Sequence, residues 1–127
     1  MSYYQGNDLK KPSGGKKHEH RGKRKYELGS PPTKTSLAAK EERETIRAYG
    51  GNIKVRLKAS SYINVAIGGE IKRTKLLDVV ETPENPQNSK FKIISRGSVV
   101  KTELGLVKIT SRPGQHGVLN GILIQQK

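Results

Sequence analysis

The sequence has no cysteine, no tryptophan and a single phenylalanine among its 127 residues. Without cysteine the chain can form neither disulfides nor thiolate metal sites, which suits a reducing cytosol. Without large aromatics, a folded core must be built from aliphatic side chains. No apolar run approaches the roughly 18 residues that a membrane-spanning helix needs, and the first residues lack the apolar stretch of a secretion signal. We therefore expect a cytoplasmic protein without a membrane partner.

Acidic residues are also scarce. The chain has 11 Asp and Glu against 25 Lys and Arg, so its formal net charge is +14. Such an excess on a short chain points to a polyanionic partner. Nucleic acid is the leading candidate. An anionic membrane surface is the second, and the lack of a long apolar run counts against it.

Aliphatic residues divide the chain into two parts. Residues 1–43 contain only 3 of the Ile, Leu, Val and Phe residues, whereas residues 44–127 contain 26. Burying the few large apolar groups of residues 1–34 would contribute about 10 kcal/mol, but ordering that segment costs more than about 30 kcal/mol. The sequence therefore predicts two domains. Residues 1–43 form an extended basic arm that becomes ordered only on a partner, and residues 44–127 form the folded body.

The body has the pattern of many short β-strands. Residues 53–59 and 62–67 alternate apolar and polar side chains, and residues 74–81 read as a buried strand with little alternation. Further strands are predicted, between Gly- and Pro-rich turns, over residues 91–95, 97–102, 106–111 and 121–125. This pattern predicts an all-β fold, a small antiparallel β-barrel that is closed or nearly closed. Only residues 36–44 favour a helix, with Ser36 as its N-cap, and the strand-like pattern of residues 44–49 counts against it.

The strand predicted over residues 53–59 has one apolar and one basic face. Lys54, Arg56 and Lys58 share the basic face, which we call the basic rail. Side chains two residues apart on a strand lie roughly 7 Å apart, a spacing comparable with that of phosphates along a nucleic acid. The rail is therefore a candidate RNA-binding surface. The alternative is a solvated outer face of the barrel. The apolar face is predicted to point inward through Ile53, Val55, Leu57 and Ala59.

The arm carries the densest positive charge. Each Lys or Arg that meets a phosphate releases counterions, and the interspersed glycines allow close approach to RNA. The alternatives are a targeting signal or a solubilising tail. Tyr26 could stack on a base or anchor the arm to the barrel, and both remain open. The candidate RNA-binding residues of the arm are Lys10, Lys11, Lys16, Lys17, His18, Arg21, Lys23, Arg24, Lys25 and Tyr26.

Residues 111–117 form a second candidate contact. Pro113 fixes its own φ and Gly114 can adopt positive φ, so the segment is predicted to make a tight hairpin turn. Arg112, Gln115 and His116 would lie on the exposed tip. Those three side chains are candidate RNA contacts in addition to the structural role of the turn.

Motifs for catalysis or metal binding are absent from the sequence. His18 and His20 lack a further ligand, so they are a poor metal site. No phosphate-binding loop or nucleophile elbow occurs, and the acids of the folded part have no paired spacing. We therefore expect no metal, no cofactor, no small-molecule substrate and no enzymatic activity.

Four segments together carry a family resemblance: Lys11-Pro-Ser-Gly-Gly15, residues 23–29, residues 46–54 and residues 111–117. In this order they resemble archaeal members of the small-subunit ribosomal protein family numbered eight in the archaeal and eukaryotic series, which is distinct from the bacterial protein of that number. The resemblance implies a β-barrel whose N-terminal extension threads into ribosomal RNA. It implies a structural, non-enzymatic component of the cytoplasmic ribosome, with small-subunit ribosomal RNA and neighbouring ribosomal proteins as partners. The large insertion of the eukaryotic members is missing here.

Two other functions fit parts of the pattern. A general nucleic-acid-binding protein of the chromatin type would have the same charge, but it would bind duplex DNA as well as RNA. An RNA-processing enzyme would require a catalytic constellation, and the sequence has none.

Overall fold

The computed structural model of this protein describes residues 3–126, and the chain divides into two compact units, residues 1–32 and 33–127. The division falls earlier in the chain than the predicted boundary between residues 43 and 44. The strand Thr35–Leu37 belongs to the second unit because it pairs with strands of that unit.

The first unit contains short, local structure. Strand β1 (Tyr3–Tyr4) pairs antiparallel with β2 (Leu28–Gly29), which follows a single 3-10 turn, Lys25–Glu27. Residues 9–17 form a small hairpin, because the Lys17 N–H donates to the Leu9 carbonyl at 2.8 Å. The segment is thus not fully extended. That it is ordered only on a partner stays a prediction.

The second unit is almost entirely β-structure, as predicted. The predicted helix over residues 36–44 is wrong, because this stretch contains one strand and the start of another, joined by a short loop. The elements, besides a 3-10 turn at Tyr49–Gly51, are β3 (Thr35–Leu37), β4 (Glu42–Arg47), β5 (Ile53–Ser60), β6 (Tyr62–Ile67), β7 (Glu70–Glu81), α1 (Pro86–Lys90), β8 (Ile93–Ile94), β9 (Val99–Thr102), β10 (Gly105–Ile109), α2 (Pro113–His116) and β11 (Asn120–Gln126).

Five of these strands form a closed barrel in the order β10-β11-β6-β7-β9. The predicted small barrel is confirmed, but one pairing differs, since β6 and β11 run parallel while the other four pairs are antiparallel. At this parallel seam Gly121 is buried, and a Cβ there would lie 2.5 Å from Cγ1 of Val107. Val107 lies on β10, so it is the antiparallel neighbour of β11 that requires glycine at this position.

The remaining strands form a second sheet in the order β4-β5-β3-β8. Strand β3 is short but central, since it pairs parallel with β5 and antiparallel with β8. Thr35 is fully buried, and its hydroxyl donates to the carbonyl of Leu57 at 2.7 Å. A buried hydroxyl needs such a partner, so this bond fixes β3 beside β5.

The core of the second unit is aliphatic, as the sequence predicts. Both sheets contribute to one cluster, because Leu57 of β5 and Ile94 of β8 are buried with side chains of the barrel. The buried residues of the cluster are Leu57, Ile63, Val65, Leu76, Val79, Ile94, Val100, Val107, Ile109 and Leu119.

Strand β7 departs from the predicted fully buried strand. Leu76 and Val79 are buried, but Leu77 and Val80 are exposed. Register shifts interrupt the pairing of β7 with β9 at Leu76/Asp78 and at Val79/Glu81. Because a bulge adds one residue to one strand, side chains three apart, rather than two, point into the barrel here.

The region after β7 was predicted as a turn followed by a strand over residues 91–95. It instead contains α1, and the Asn85 side chain accepts the N–H of Gln87 at 3.1 Å as an N-cap. The strand shrinks to Ile93–Ile94, while Phe91 ends the helix and is exposed. No helix within the described residues is long and apolar enough to cross a membrane.

Candidate nucleic-acid interface

The hairpin of residues 9–17, here called the lysine hairpin, brings four exposed lysines together. Lys10 and Lys16 lie opposite each other in an isolated antiparallel bridge, each followed by a second lysine, Lys11 and Lys17. Like charges directly opposite each other destabilise a strand pair. Within residues 3–126 none of these four lysines forms an ion pair. The arrangement therefore favours a polyanion that can neutralise it.

The next cation of the arm has an internal partner. The Arg21 guanidinium lies 2.5 Å from the Glu27 carboxylate, which also accepts the N–H of Arg24 at 3.3 Å. The hydrogen bond from Arg21 lowers the pKa of Glu27 and raises the pKa of Arg21. Arg21 also lies 5.7 Å from the centre of the Tyr26 ring. It thus shapes the arm as well as adding charge.

The other candidates of the arm are exposed. The Lys23 ammonium lies over the ring of Tyr4, 4.8 Å from its centre. This contact leaves the positive charge at the surface and holds the Lys23 side chain beside the last residue of β1. The exposed candidates are His18, Lys23, Arg24, Lys25 and Tyr26. Whether Tyr26 stacks on a base or anchors the arm to the barrel stays open.

The basic rail lies on β5. Lys54 and Lys58 are exposed and Arg56 is half-buried, while Leu57 on the opposite face is completely buried. The alternation predicted for this strand is therefore confirmed over its second half. It is wrong for Ile53, which is 66% exposed, because the end of β5 extends beyond the core.

The rail is not uniformly positive. Glu44 of β4 lies opposite Arg56, and its carboxylate is 3.0 Å from the Lys58 ammonium. The Lys58 and Glu44 side chains are 48% and 51% exposed, so this ion pair contributes little to stability. The Nε of Arg56 is buried and has no hydrogen-bond partner in the described part of the chain. Buried donors normally have acceptors, so the Nε of Arg56 is a buried donor that lacks its usual hydrogen-bond acceptor among the described residues.

The predicted tight turn at residues 111–117 is instead the helical turn α2. Positive φ occurs at Gly117, where φ is 73°, and not at Gly114. The Gln115 Oε1 accepts a hydrogen bond from the Lys54 ammonium at 2.8 Å. The Nε of Arg43 donates to the carbonyl of Gly117, also at 2.8 Å.

The rail and this turn therefore form one surface, although the sequence predicted them separately. We call it the rail surface; it consists of Lys54, Arg56, Lys58, Arg112, Gln115 and His116. Arg112 and His116 are exposed and Gln115 is half-buried. Arg43, which fixes α2 through Gly117, was missed, because its contact is 74 positions away in sequence and the predicted helix included it.

Comparison with known proteins identifies the family of the chain. The family model described as ribosomal protein S8e matches residues 4–124. The small ribosomal subunit protein eS8 of Staphylothermus marinus is 59% identical over 128 positions, which cover 99% of this chain and 100% of that protein. The chain belongs to the ribosomal protein S8e family. The proteins of the same name from Sulfurisphaera tokodaii and Sulfolobus acidocaldarius are 51% and 48% identical over the same shares of the two chains.

The family settles two of the expectations drawn from the sequence. The resemblance to archaeal members is confirmed, since these relatives are archaeal proteins. The family consists of structural ribosomal proteins, so the chain is not an enzyme. Within residues 3–126 there is also no cluster of three or more His, Asp and Glu side chains placed to hold a metal ion.

Proposed function

We propose that the chain is a structural constituent of the small ribosomal subunit in the cytoplasm, where it binds and stabilises ribosomal RNA. Its relatives are named as small ribosomal subunit proteins over the full length of the chain. The net charge of +14 supports a partner with a phosphate backbone.

The observation that carries the RNA contact is the lysine hairpin. Lys10 and Lys16 face each other, and within residues 3–126 neither ammonium forms an ion pair, although the Asp8 carboxylate accepts the backbone N–H of Lys10 at 3.2 Å. In isolation this pairing raises the free energy of the hairpin. A phosphate backbone between the lysines would turn this repulsion into a favourable interaction and would release counterions. The hairpin is therefore proposed as a phosphate-binding element.

The rail surface is proposed as the second contact. The weak pair between Lys58 and Glu44 can open when a phosphate competes for the ammonium. The half-buried Arg56 adds a planar guanidinium, which suits phosphate oxygens. Both contacts read the backbone of RNA rather than its sequence.

Neighbouring ribosomal proteins are proposed partners of the outer barrel wall. Ile122 of β11, Ala66 of β6 and Ile71 of β7 lie side by side in the register and are exposed. An exposed apolar row of this kind is typical of a protein contact. It cannot bind phosphate, so it serves a different class of partner from the two basic surfaces.

The salt dependence of binding to purified small-subunit RNA tests the role of the hairpin. Changing its four lysines to Gln should lower the slope of log K against log salt by about 3, at about 0.7–0.9 per lost phosphate contact. A matched control removes the same charge from exposed lysines elsewhere, Lys40, Lys72, Lys90 and Lys108. The control should change the slope by less than one unit. Equal slopes for the two variants would mean that the hairpin contributes only net charge and is not a phosphate-binding element.

Two further measurements separate the alternatives. The rail variant Lys54→Gln with Arg56→Gln and Lys58→Gln should stay folded and lose a smaller part of the slope; an unchanged slope would leave the rail as a solvated face. A chromatin-type protein would bind duplex DNA as tightly as ribosomal RNA and would leave the subunit in a high-salt sucrose gradient. We expect the chain to stay with the subunit.

A further inference from the structure

A small polar pocket lies where the barrel meets the second sheet. Its volume is about 180 Å³, and its walls include Glu41, Arg43, Tyr62, Asn64 and Arg73. This is below the roughly 300–1,000 Å³ of sites for drug-sized ligands. The pocket therefore suits a single planar group rather than an extended molecule.

One wall of the pocket is a stacking platform. The Arg73 guanidinium lies over the ring of Tyr62, 4.7 Å from its centre. The Arg73 side chain is still 60% exposed. Proteins that bind unpaired RNA stack the splayed bases on aromatic rings and on guanidinium planes. The guanidinium covers one face of the Tyr62 ring, so a base can stack on the outer face of the Arg73 guanidinium, which the ring holds flat from the other side.

Asn64 on the wall of the pocket pairs with the side-chain amide of Asn120, which lies just outside that wall. The Nδ2 of Asn64 donates to the Oδ1 of Asn120 at 3.1 Å. Within residues 3–126 this leaves the Oδ1 of Asn64 as an acceptor and the Nδ2 group of Asn120 as a donor without partners among the side-chain hydrogen bonds. On Asn120 the free Nδ2 group lies beside an Oδ1 that keeps a second lone pair, and a single amide of this kind can pair with the donor and acceptor on the edge of a nucleobase.

The charges of the pocket suit the phosphate of the same nucleotide. The Glu41 carboxylate accepts hydrogen bonds from Arg43 at 3.2 Å and from Arg73 at 3.4 Å. Two guanidiniums and one carboxylate leave one positive charge. Arg43 is also held by the Gly117 carbonyl, so its free N–H groups are fixed in place. An oriented guanidinium is the preferred partner of a phosphate.

We propose that this pocket binds one unstacked nucleotide of single-stranded RNA. Its base lies on the Arg73–Tyr62 platform and against the Asn64–Asn120 amides, and its phosphate lies beside Arg43. The inference rests on the proposed function, but it adds a base contact to surfaces that otherwise bind only the RNA backbone. Glu41 holds the two arginines in position.

The test uses the full chain and NMR titration of the asparagine side-chain amides. The probes are single-stranded tetranucleotides of A, C, G or U, a longer RNA duplex that stays paired, and inorganic phosphate. We expect the amide signals of Asn64 and Asn120 to shift with at least one single strand and not with the duplex or with phosphate. Shifts produced equally by phosphate would show an anion site without base recognition, and would overturn the proposal.

Variants complete the test. Asn64→Ala should weaken tetranucleotide binding by roughly tenfold, and Tyr62→Leu by a similar factor, whereas Tyr62→Phe keeps the ring and should bind normally. The control is Asn88→Ala, a half-buried asparagine of α1 outside the pocket, which should change nothing. Circular dichroism identifies any variant that fails to fold. If Asn64→Ala fails to fold, Asn64→Ser replaces it.

The result separates the pocket from the proposed function. If the full chain binds small-subunit RNA but no tetranucleotide moves the two amides, the pocket proposal fails while the ribosomal role stands. If the full chain binds neither, both fail. Unchanged affinity in Asn64→Ala and in Tyr62→Leu overturns the pocket even where the wild-type amides shift.

Discussion

The two units of the chain are stabilised in different ways. Within residues 3–32 no side chain is fully buried, and the shape depends on backbone hydrogen bonds and on contacts such as Arg21–Glu27. Residues 33–126 surround a closed barrel and an aliphatic core. Segments with few buried apolar contacts open easily. The comparison shows that the densest charge is placed on the part of the chain that has no core to stabilise.

Where the folded unit begins is the sharpest test of this difference. Deleting residues 1–43 removes β3 and the buried bond from Thr35 to Leu57, so β5 and β8 lose the strand between them. We expect the product to lose cooperative thermal unfolding altogether. Calorimetry of this truncation is the measurement. A cooperative transition would place the boundary of the folded unit at residues 43 and 44, as the aliphatic count predicts.

Deleting only residues 1–32 should have the opposite outcome. The remaining unit keeps all of its buried residues and should unfold cooperatively, with a midpoint shifted by a few degrees. RNA affinity should fall by orders of magnitude, because eight Lys and Arg leave together. Filter binding at several salt concentrations measures the loss. Unchanged affinity would make the rail surface the main binding element.

A single glycine tests how the folded unit holds α2. Gly117 has φ 73°, and a Cβ there would lie 2.5 Å from Cγ1 of Val55. Gly117→Ala should therefore destabilise the second unit by about 2–3 kcal/mol. Gly114→Ala is the control, because its Cβ would meet Thr33 only at 3.4 Å; it should change stability by less than about 0.5 kcal/mol. Urea denaturation compares the two.

The smallest effect is expected from acid in the first unit. The pKa of Glu27 is lowered in the folded state by its bond to Arg21. At pH values above 4.5, the ordinary pKa of Glu, the Arg21–Glu27 pair stabilises the unit fully. This stabilisation is lost as the pH falls through the lower pKa that Glu27 has in the folded state. NMR shifts of the Arg21 side chain should change in that window. Glu27→Gln should remove the change, while core signals such as that of Val107 stay constant.

The fold could be predicted where local pattern and tertiary burial agree. The alternation from Val55 to Ala59 placed β5 correctly, and the many short strands indicated a barrel. The same reasoning fails where pairing between distant strands decides. The bulges in β7 change which side chains point inward, and β3 is a strand only because β5 and β8 lie on either side of it.

The candidate site was predictable to a different degree. The lysines of the hairpin are close in sequence, so their charge was visible at once. Their opposition across a bridge was not, because it depends on the turn between them. The pocket could not be predicted, since Asn64 and Asn120 are 56 positions apart and neither residue type is distinctive alone.

The parallel seam of the barrel has a consequence for biosynthesis. Strand β11 joins β10 on one side and β6 on the other, so the barrel cannot close until residues 120–126 have emerged from the ribosome that makes them. Until then the edges of β6 and β10 are unpaired, which is the state most prone to aggregation. The lysine hairpin leaves that ribosome first, and it needs no barrel to form. If the lysine hairpin binds phosphate as proposed, a nascent chain would hold RNA before the last strand of its barrel is paired.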